Sequence, residues 1–116
     1  MVVRRGDVWW ADLPAPRASE PRFRRPVVIL QCDGLNKSGL NTVVVAILTS
    51  NLDLVEAMGN VLLERHLTKL PKHSVANISQ LFTLDRNYLL QRVTNLPVSA
   101  MTKIDVALKL VLDLGP

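Results

Sequence analysis

The sequence predicts a mainly β fold, a small and strongly curved antiparallel sheet of five to seven short strands with one C-terminal α-helix. Three observations predict it. Apolar, β-branched runs such as Val27-Val28-Ile29-Leu30 and Thr42-Val43-Val44-Val45-Ala46-Ile47-Leu48 recur between turn-rich stretches. No helical pattern separates successive strands, so the crossovers that a parallel βαβ sheet requires are missing. Only the segment from Ser99 to Leu112 repeats apolar residues at helical spacing, through Met101, Ile104, Ala107, Leu108, Val111 and Leu112.

Each element has a local reason. Arg5-Gly6-Asp7 reads as a turn feeding a first strand, Val8 to Leu13, in which the adjacent Trp9 and Trp10 must face opposite sides. Residues 13–23 hold Pro14, Pro16 and Pro21 among polar groups, which predicts a loop. Pro26 then biases Arg25 toward an extended conformation at the mouth of a buried strand running to Gln31. Asp33, Gly34, Asn36, Ser38, Gly39 and Asn41 are turn chemistry ahead of the Thr42–Leu48 strand. Residues 52–58 read as one helical turn or a loop, and Val61 to Glu64 as a short strand. Ser74 to Leu84 and Leu89 to Leu96 are two further strands, joined by a short turn that Asp85 caps. Ser99 or Thr102 is the expected cap of the helix, with Gly115 and Pro116 closing the chain.

The chain has 116 residues, of which 48% are hydrophobic, enough for one domain over residues 1–116 with a core that needs no metal or disulfide staple. Cys32 has no partner cysteine, and no apolar run reaches membrane-spanning length, so the expectation is a cytoplasmic protein. The formal charge is +4, concentrated near the start: Arg4, Arg5, Arg17, Arg22, Arg24 and Arg25 face only Asp7, Asp12 and Glu20 there. Such a patch attracts polyanions. His66 and His73 have no cysteine or carboxylate cluster at metal-ligand spacing, and no phosphate-binding glycine loop, dinucleotide fingerprint or serine elbow is present.

Two residues stand out for chemistry. Arg25 would project from a rigid strand start, where a guanidinium can meet a phosphate through two parallel hydrogen bonds. Thr49 ends the following strand, where a hydroxyl can bond a phosphate oxygen or simply close a turn.

With these in hand the chain resembles the MazF/PemK family of toxin endoribonucleases. The resemblance runs through Arg5-Gly6-Asp7-Val8-Trp9-Trp10-Ala11-Asp12-Leu13, Ser19-Glu20, Arg25-Pro26-Val27-Val28-Ile29-Leu30-Gln31, Leu48-Thr49-Ser50-Asn51, Ser74-Val75-Ala76-Asn77-Ile78-Ser79-Gln80 and the terminal helix. It implies an SH3-like barrel, a homodimer, and metal-independent cleavage of single-stranded RNA at short sequences. It also implies a cognate antitoxin protein that lays a flexible acidic segment over the active surface. Catalysis is carried over to Arg25 and Thr49, with supporting or substrate-binding roles for Ser19, Glu20, Arg24 and Gln80 and no cofactor. The chain departs from the family at Pro21-Arg22-Phe23-Arg24 and at Ala18, where small, glycine-rich residues are common; the expected loop is stiffer and more basic. Two other readings share the barrel: a noncatalytic toxin of the gyrase-poison type that binds a protein target through the helix, and a nucleic-acid-binding barrel without chemistry.

Overall fold

The computed structural model describes residues 1–14 and 23–115. Its strands are β1 (Asp7–Leu13), β2 (Phe23–Ile29), β3 (Thr42–Thr49), β4 (Val61–Leu63), β5 (Ser74–Asp85) and β6 (Leu89–Asn95). Its helices are two single turns, α1 (Asp33–Asn36) and α2 (Arg65–Thr68), and the long α3 (Val98–Leu112). Every strand pairing is antiparallel, in one curled six-stranded sheet of order β4-β5-β3-β2-β1-β6. The expected mainly β fold with a C-terminal helix is the one observed.

Because side chains alternate along a strand, the apolar runs split between two cores. Val8, Val28, Leu30, Ala46 and Leu48 join Ala100, Ile104 and Ala107 of α3. Trp9, Ala11, Val27, Ile29, Val43 and Val45 join Leu84 and Leu89 in the second cluster. The adjacent tryptophans part as expected: Trp9 is buried in the second cluster, and Trp10 packs half-buried against the first.

One end of the sheet is pinned. Gly6, at φ +89°, donates its N–H to the Ile29 carbonyl and accepts from Leu96 N, so a left-handed residue ties β2 to the chain after β6. Asp7 is fully buried; its carboxylate accepts from Arg4 N (3.0 Å), Trp9 Nε1 (3.3 Å), Arg92 Nε (3.3 Å) and Asn95 Nδ2 (2.9 Å). Arg5 donates Nε to the Leu30 carbonyl (2.9 Å) and Nη2 to Asp105 (2.7 Å), which fastens α3 to the sheet.

The element boundaries depart from expectation in three instructive places. The central strand starts at Phe23, since Phe23, Arg24 and Arg25 pair with Leu13, Asp12 and Ala11, and it ends at Ile29 rather than Gln31. Helix α3 has Pro97 in the N-cap position, with Ala100 N and Met101 N bonded to the Pro97 carbonyl. Proline lacks the N–H that a cap leaves unpaired anyway and has the required φ, so neither Ser99 nor Thr102 caps; the Thr102 hydroxyl donates to the Val98 carbonyl instead. Third, Asp113 rather than Gly115 takes the left-handed position after the helix, at φ 54°. The Asp85 turn is as expected: its carboxylate accepts from Asn87 N at 2.8 Å.

Candidate active site

The site is set by where β2 parts from β3. The β2/β3 ladder runs from Ile29↔Val45 to Val27↔Ile47 and stops at the residue after Pro26, while β2 stays paired with β1 as far as Phe23. A proline cannot extend a ladder on its nitrogen side, so residues 23–26 keep one free edge inside an otherwise central strand. Carrying the β2/β3 register two residues onward sets Arg25 level with Thr49. Both strands are held rigidly behind this opening by Val27, Val28, Ile29, Val45, Ala46 and Leu48, each at most 1% exposed.

Arg25 is exposed, with its guanidinium carbon 5.4 Å from the centroid of the Phe23 ring on the same side of the strand. Arg24 faces the other way, 4.9 Å from the centroid of Trp10, and Arg24 Nη2 lies 3.5 Å from Gln91 Oε1. Neither arginine forms an ion pair with a described carboxylate. Stacking on a ring leaves the N–H edge of a guanidinium open, so both side chains are oriented yet keep donors for an anion. Thr49 is half-buried, and its Oγ1 accepts from Asn51 N at 3.2 Å, which closes a turn at the strand end. An accepted bond uses a lone pair and leaves the hydroxyl hydrogen to donate.

Beside the opening is a cavity of about 330 Å³. It is lined by the apolar Pro26, Leu48, Leu70 and Pro71, by Trp10, Ser50 and Ser74, and by Arg24, Arg25 and Lys72, although the Arg25 guanidinium itself lies over Phe23 on the other face of the strand. Thr49 is not among its lining residues, since it shares the opposite strand face with Ile47. Nor is Gln80, which is exposed on β5 and accepts from Asn77 Nδ2 at 3.3 Å. There the β3/β5 register slips between Ala46↔Leu81 and Leu48↔Ala76, so residues 77–80 bulge against Ile47 alone. Ser19 and Glu20 lie outside the described residues.

The structure thus sets Arg24 and Arg25 side by side at the opening but on opposite strand faces, with Thr49 on the Arg25 face of the adjoining strand end and Gln80 apart on the bulge. Trp10, Lys72, Ser50 and Ser74 were not singled out as site residues from the sequence. Ser50 follows Thr49 directly, which is a usable signal; Lys72 is an isolated lysine in a loop and carries none. His73 is exposed, and its Nδ1 accepts from Arg65 N (2.9 Å) and so caps α2. No group of three His, Cys, Asp or Glu side chains that could hold a metal is found among the described residues. Among the described residues no helix is long and apolar enough to cross a membrane.

The model of PemK-like, MazF-like toxins of type II toxin-antitoxin systems matches residues 4–112. The chain belongs to that family. It is 44% identical over 114 residues to Endoribonuclease MazF2 of Mycobacterium bovis, covering 98% of this chain and 100% of that protein. It is similarly 40% identical to Endoribonuclease MazF of Staphylococcus epidermidis, covering 98% of this chain and 94% of the relative. In fold it is similar to MazF in the MazE-MazF crystal structure from Deinococcus radiodurans, at a TM-score of 0.80 and 19% identity, with 99% of each chain covered. This MazF-like membership gives the curled sheet and helix their expected family setting.

Proposed function

We propose that the chain, acting as a single toxin domain over residues 1–116, cuts single-stranded RNA by attack of a ribose 2′-hydroxyl on the adjacent phosphate, with Arg25 and Thr49 as the catalytic residues. It is a MazF-family toxin endoribonuclease, and the observation that carries the mechanism is an arginine oriented at the sheet opening with no carboxylate partner among the described residues. RNA supplies its own nucleophile, so the protein has to orient the reacting groups, manage protons and stabilise the charge that builds on the phosphoryl oxygens. In this reading Arg25 donates to those oxygens and gives a proton or hydrogen bond to the leaving 5′-oxygen. A guanidinium has only donors and no acceptor, so it is unsuited to be the base; Glu20 is the candidate to take the 2′-hydroxyl proton. Thr49 donates its free hydroxyl hydrogen to a nonbridging oxygen. Arg24 and Gln80 bind substrate in this reading, with Ser19 and Glu20 in support. DNA lacks the nucleophile and is not cleaved.

The same reading includes a homodimer acting in the cytoplasm and a cognate antitoxin whose acidic, flexible segment covers Arg24 and Arg25, since a surface built for a polyanion attracts acidic peptide as well. A D. radiodurans MazF was solved with MazE, and a mycobacterial endoribonuclease with its cognate antitoxin.

The test is digestion of long single-stranded RNA in excess chelator. Expected products carry a 2′,3′-cyclic phosphate upstream and a 5′-hydroxyl downstream. Arg25→Ala should slow cleavage by about a hundredfold or more, the scale of losing one transition-state donor. Thr49→Ala should act in the same direction with less effect. Ends bearing a 5′-phosphate, or cell toxicity that survives Arg25→Ala, would overturn the mechanism, the latter in favour of a protein-binding toxin.

A further inference from the structure

The end of the sheet away from Arg25 carries a second cavity, of about 490 Å³, that the cleavage chemistry does not use. It lies between the N-terminal segment and the α1 turn, and Arg4, Lys37 and Arg86 all line it. The extended chain from Arg25 to Gln31 separates the two places by roughly 20 Å, at about 3.3 Å per residue. Arg86 is half-buried and fixed: its backbone N donates to the Asn41 carbonyl (2.8 Å) and its Nη1 to the Asn36 carbonyl (2.9 Å). Asn36 is buried and locked to Gln31 in both directions, accepting at Oδ1 from Gln31 Nε2 (3.0 Å) and donating Nδ2 to the Gln31 carbonyl (2.9 Å). The guanidinium is therefore fastened by one prong, and no described bond uses its other donors. A fork held in this way can meet a phosphate through two parallel bonds. Lys37 and Arg4 are exposed, and both lie near enough to Asp33 for their charges to help lower its pKa, which brings them to one rim of the cleft. None of the three cations forms an ion pair with a described carboxylate. Asp33, the one described carboxylate in the lining, already accepts from Arg5 N (2.7 Å) and Asn36 Nδ2 (3.2 Å), so the cleft keeps an excess of positive charge.

We propose that this cleft is a second anion site, which takes the phosphate of a nucleotide on the free prongs of Arg86, with Lys37 and Arg4 neutralising the remaining charge. The volume falls within the roughly 300–1,000 Å³ of small-molecule sites, enough for a sugar and base as well as the phosphate. Met1 and Val2 give the cleft an apolar flank that a bare ion does not need and that a nucleotide ring covers. The same phosphate chemistry is offered by a free nucleotide and by an RNA strand running on from the open end of the sheet. The site stands apart from the cleavage chemistry, since neither Arg25 nor Thr49 lines it.

The probes are AMP, inorganic phosphate, and a short and a long RNA of mixed sequence, both fully 2′-O-methylated so that they bind without being cut. The readout is the amide chemical shifts of the full chain. For a free nucleotide, AMP should shift the amides of Lys37, Ser38 and Arg86 and bind more tightly than inorganic phosphate. Lys37→Glu, which alters an exposed side chain, should then weaken AMP at least tenfold, whereas Lys109→Glu on the outer side of α3 should leave it unchanged. For an RNA strand, the long RNA should shift the same amides and the short one should not. Lys37→Ala should then lower the long RNA's slope of log affinity against log salt by about one, as expected for one lost phosphate contact. Amides that respond to neither AMP nor the long RNA overturn the proposal, as does a response undiminished in Lys37→Glu. Equal affinity for AMP and inorganic phosphate with no response to the long RNA marks a bare ion site and overturns the nucleotide assignment. A response to poly-glutamate that AMP and RNA do not reproduce gives the cleft to an acidic peptide instead. Arg25→Ala should leave all of these shifts as they are, so the fate of the cleavage mechanism is read separately.

Discussion

The arginines at the two ends of the sheet differ in what they face. At the pinned end Arg5 reaches the Leu30 carbonyl and Asp105, Arg92 reaches the buried Asp7, and Arg86 donates to the Asn36 carbonyl. At the open end Arg24 and Arg25 lie over Trp10 and Phe23 and meet no described carboxylate. A guanidinium whose donors are spent on protein oxygens is a fastener. One that is oriented by a ring and left with open donors is available to a ligand, and that difference separates the arginines that fasten the fold from those proposed to meet substrate.

The comparison is sharpened by breaking the fasteners, beginning with the largest expected effect. Asp7→Asn keeps the volume but turns one carboxylate oxygen into a donor, which must then face donors from either Arg92 and Asn95 or Arg4 and Trp9. Leaving such buried groups unmatched should cost about 2–4 kcal/mol, read as a lower urea midpoint. RNA cleavage per folded molecule should stay near wild type, and a catalytic loss like that of Arg25→Ala would mean that the two ends are not separable.

A smaller effect is expected at the helix clasp. The side chains of Arg5 and Asp105 are 28% and 46% exposed, so solvent screens the 2.7 Å pair. Asp105→Ala should cost no more than about 1 kcal/mol, and a double-mutant cycle with Arg5→Ala isolates the pair itself. A coupling well above that would show the clasp to be a main support of α3.

The smallest effect concerns acid. Asp33 is held below the usual carboxylate range, first by the hydrogen bond from Arg5 N (2.7 Å) and then by that from Asn36 Nδ2. A lowered folded-state value means that the unfolded chain binds the proton more readily. The contribution of Asp33 is therefore complete above its unfolded pKa and fades as pH falls through the lower folded value. Asp33→Asn should lower stability slightly at neutral pH, where the contribution is complete, and flatten a slight part of the acid-side loss. Equal acid sensitivity in variant and wild type would remove Asp33 from that end's support.

Local composition was sufficient to announce much of this. The β-branched runs, the Asp85 turn, the opposed tryptophans and the terminal helical period depend on neighbours in sequence, and each is present as expected. The arginine ahead of Pro26 was legible too, because proline limits its predecessor and cannot extend a ladder. Other features needed distant residues. Phe23 and Arg24 became strand only through pairing with Leu13 and Asp12, and Pro97 displaced the expected helix caps.

From the sequence by itself came the strand set, the one long helix, the basic N-terminal region, and Arg25 and Thr49 as candidates, because patterning and backbone restriction act within a few residues. Only the tertiary structure decided that β2 leaves β3 at Val27↔Ile47, a register that carried two residues onward matches Arg25 with Thr49. It alone laid Arg24 on Trp10 and placed Lys72 from the loop before β5 at the cavity beside Arg25. Those juxtapositions follow from strand register and from the packing of a distant loop, in which residues far apart in the chain are held in place by a shared core that no local pattern specifies.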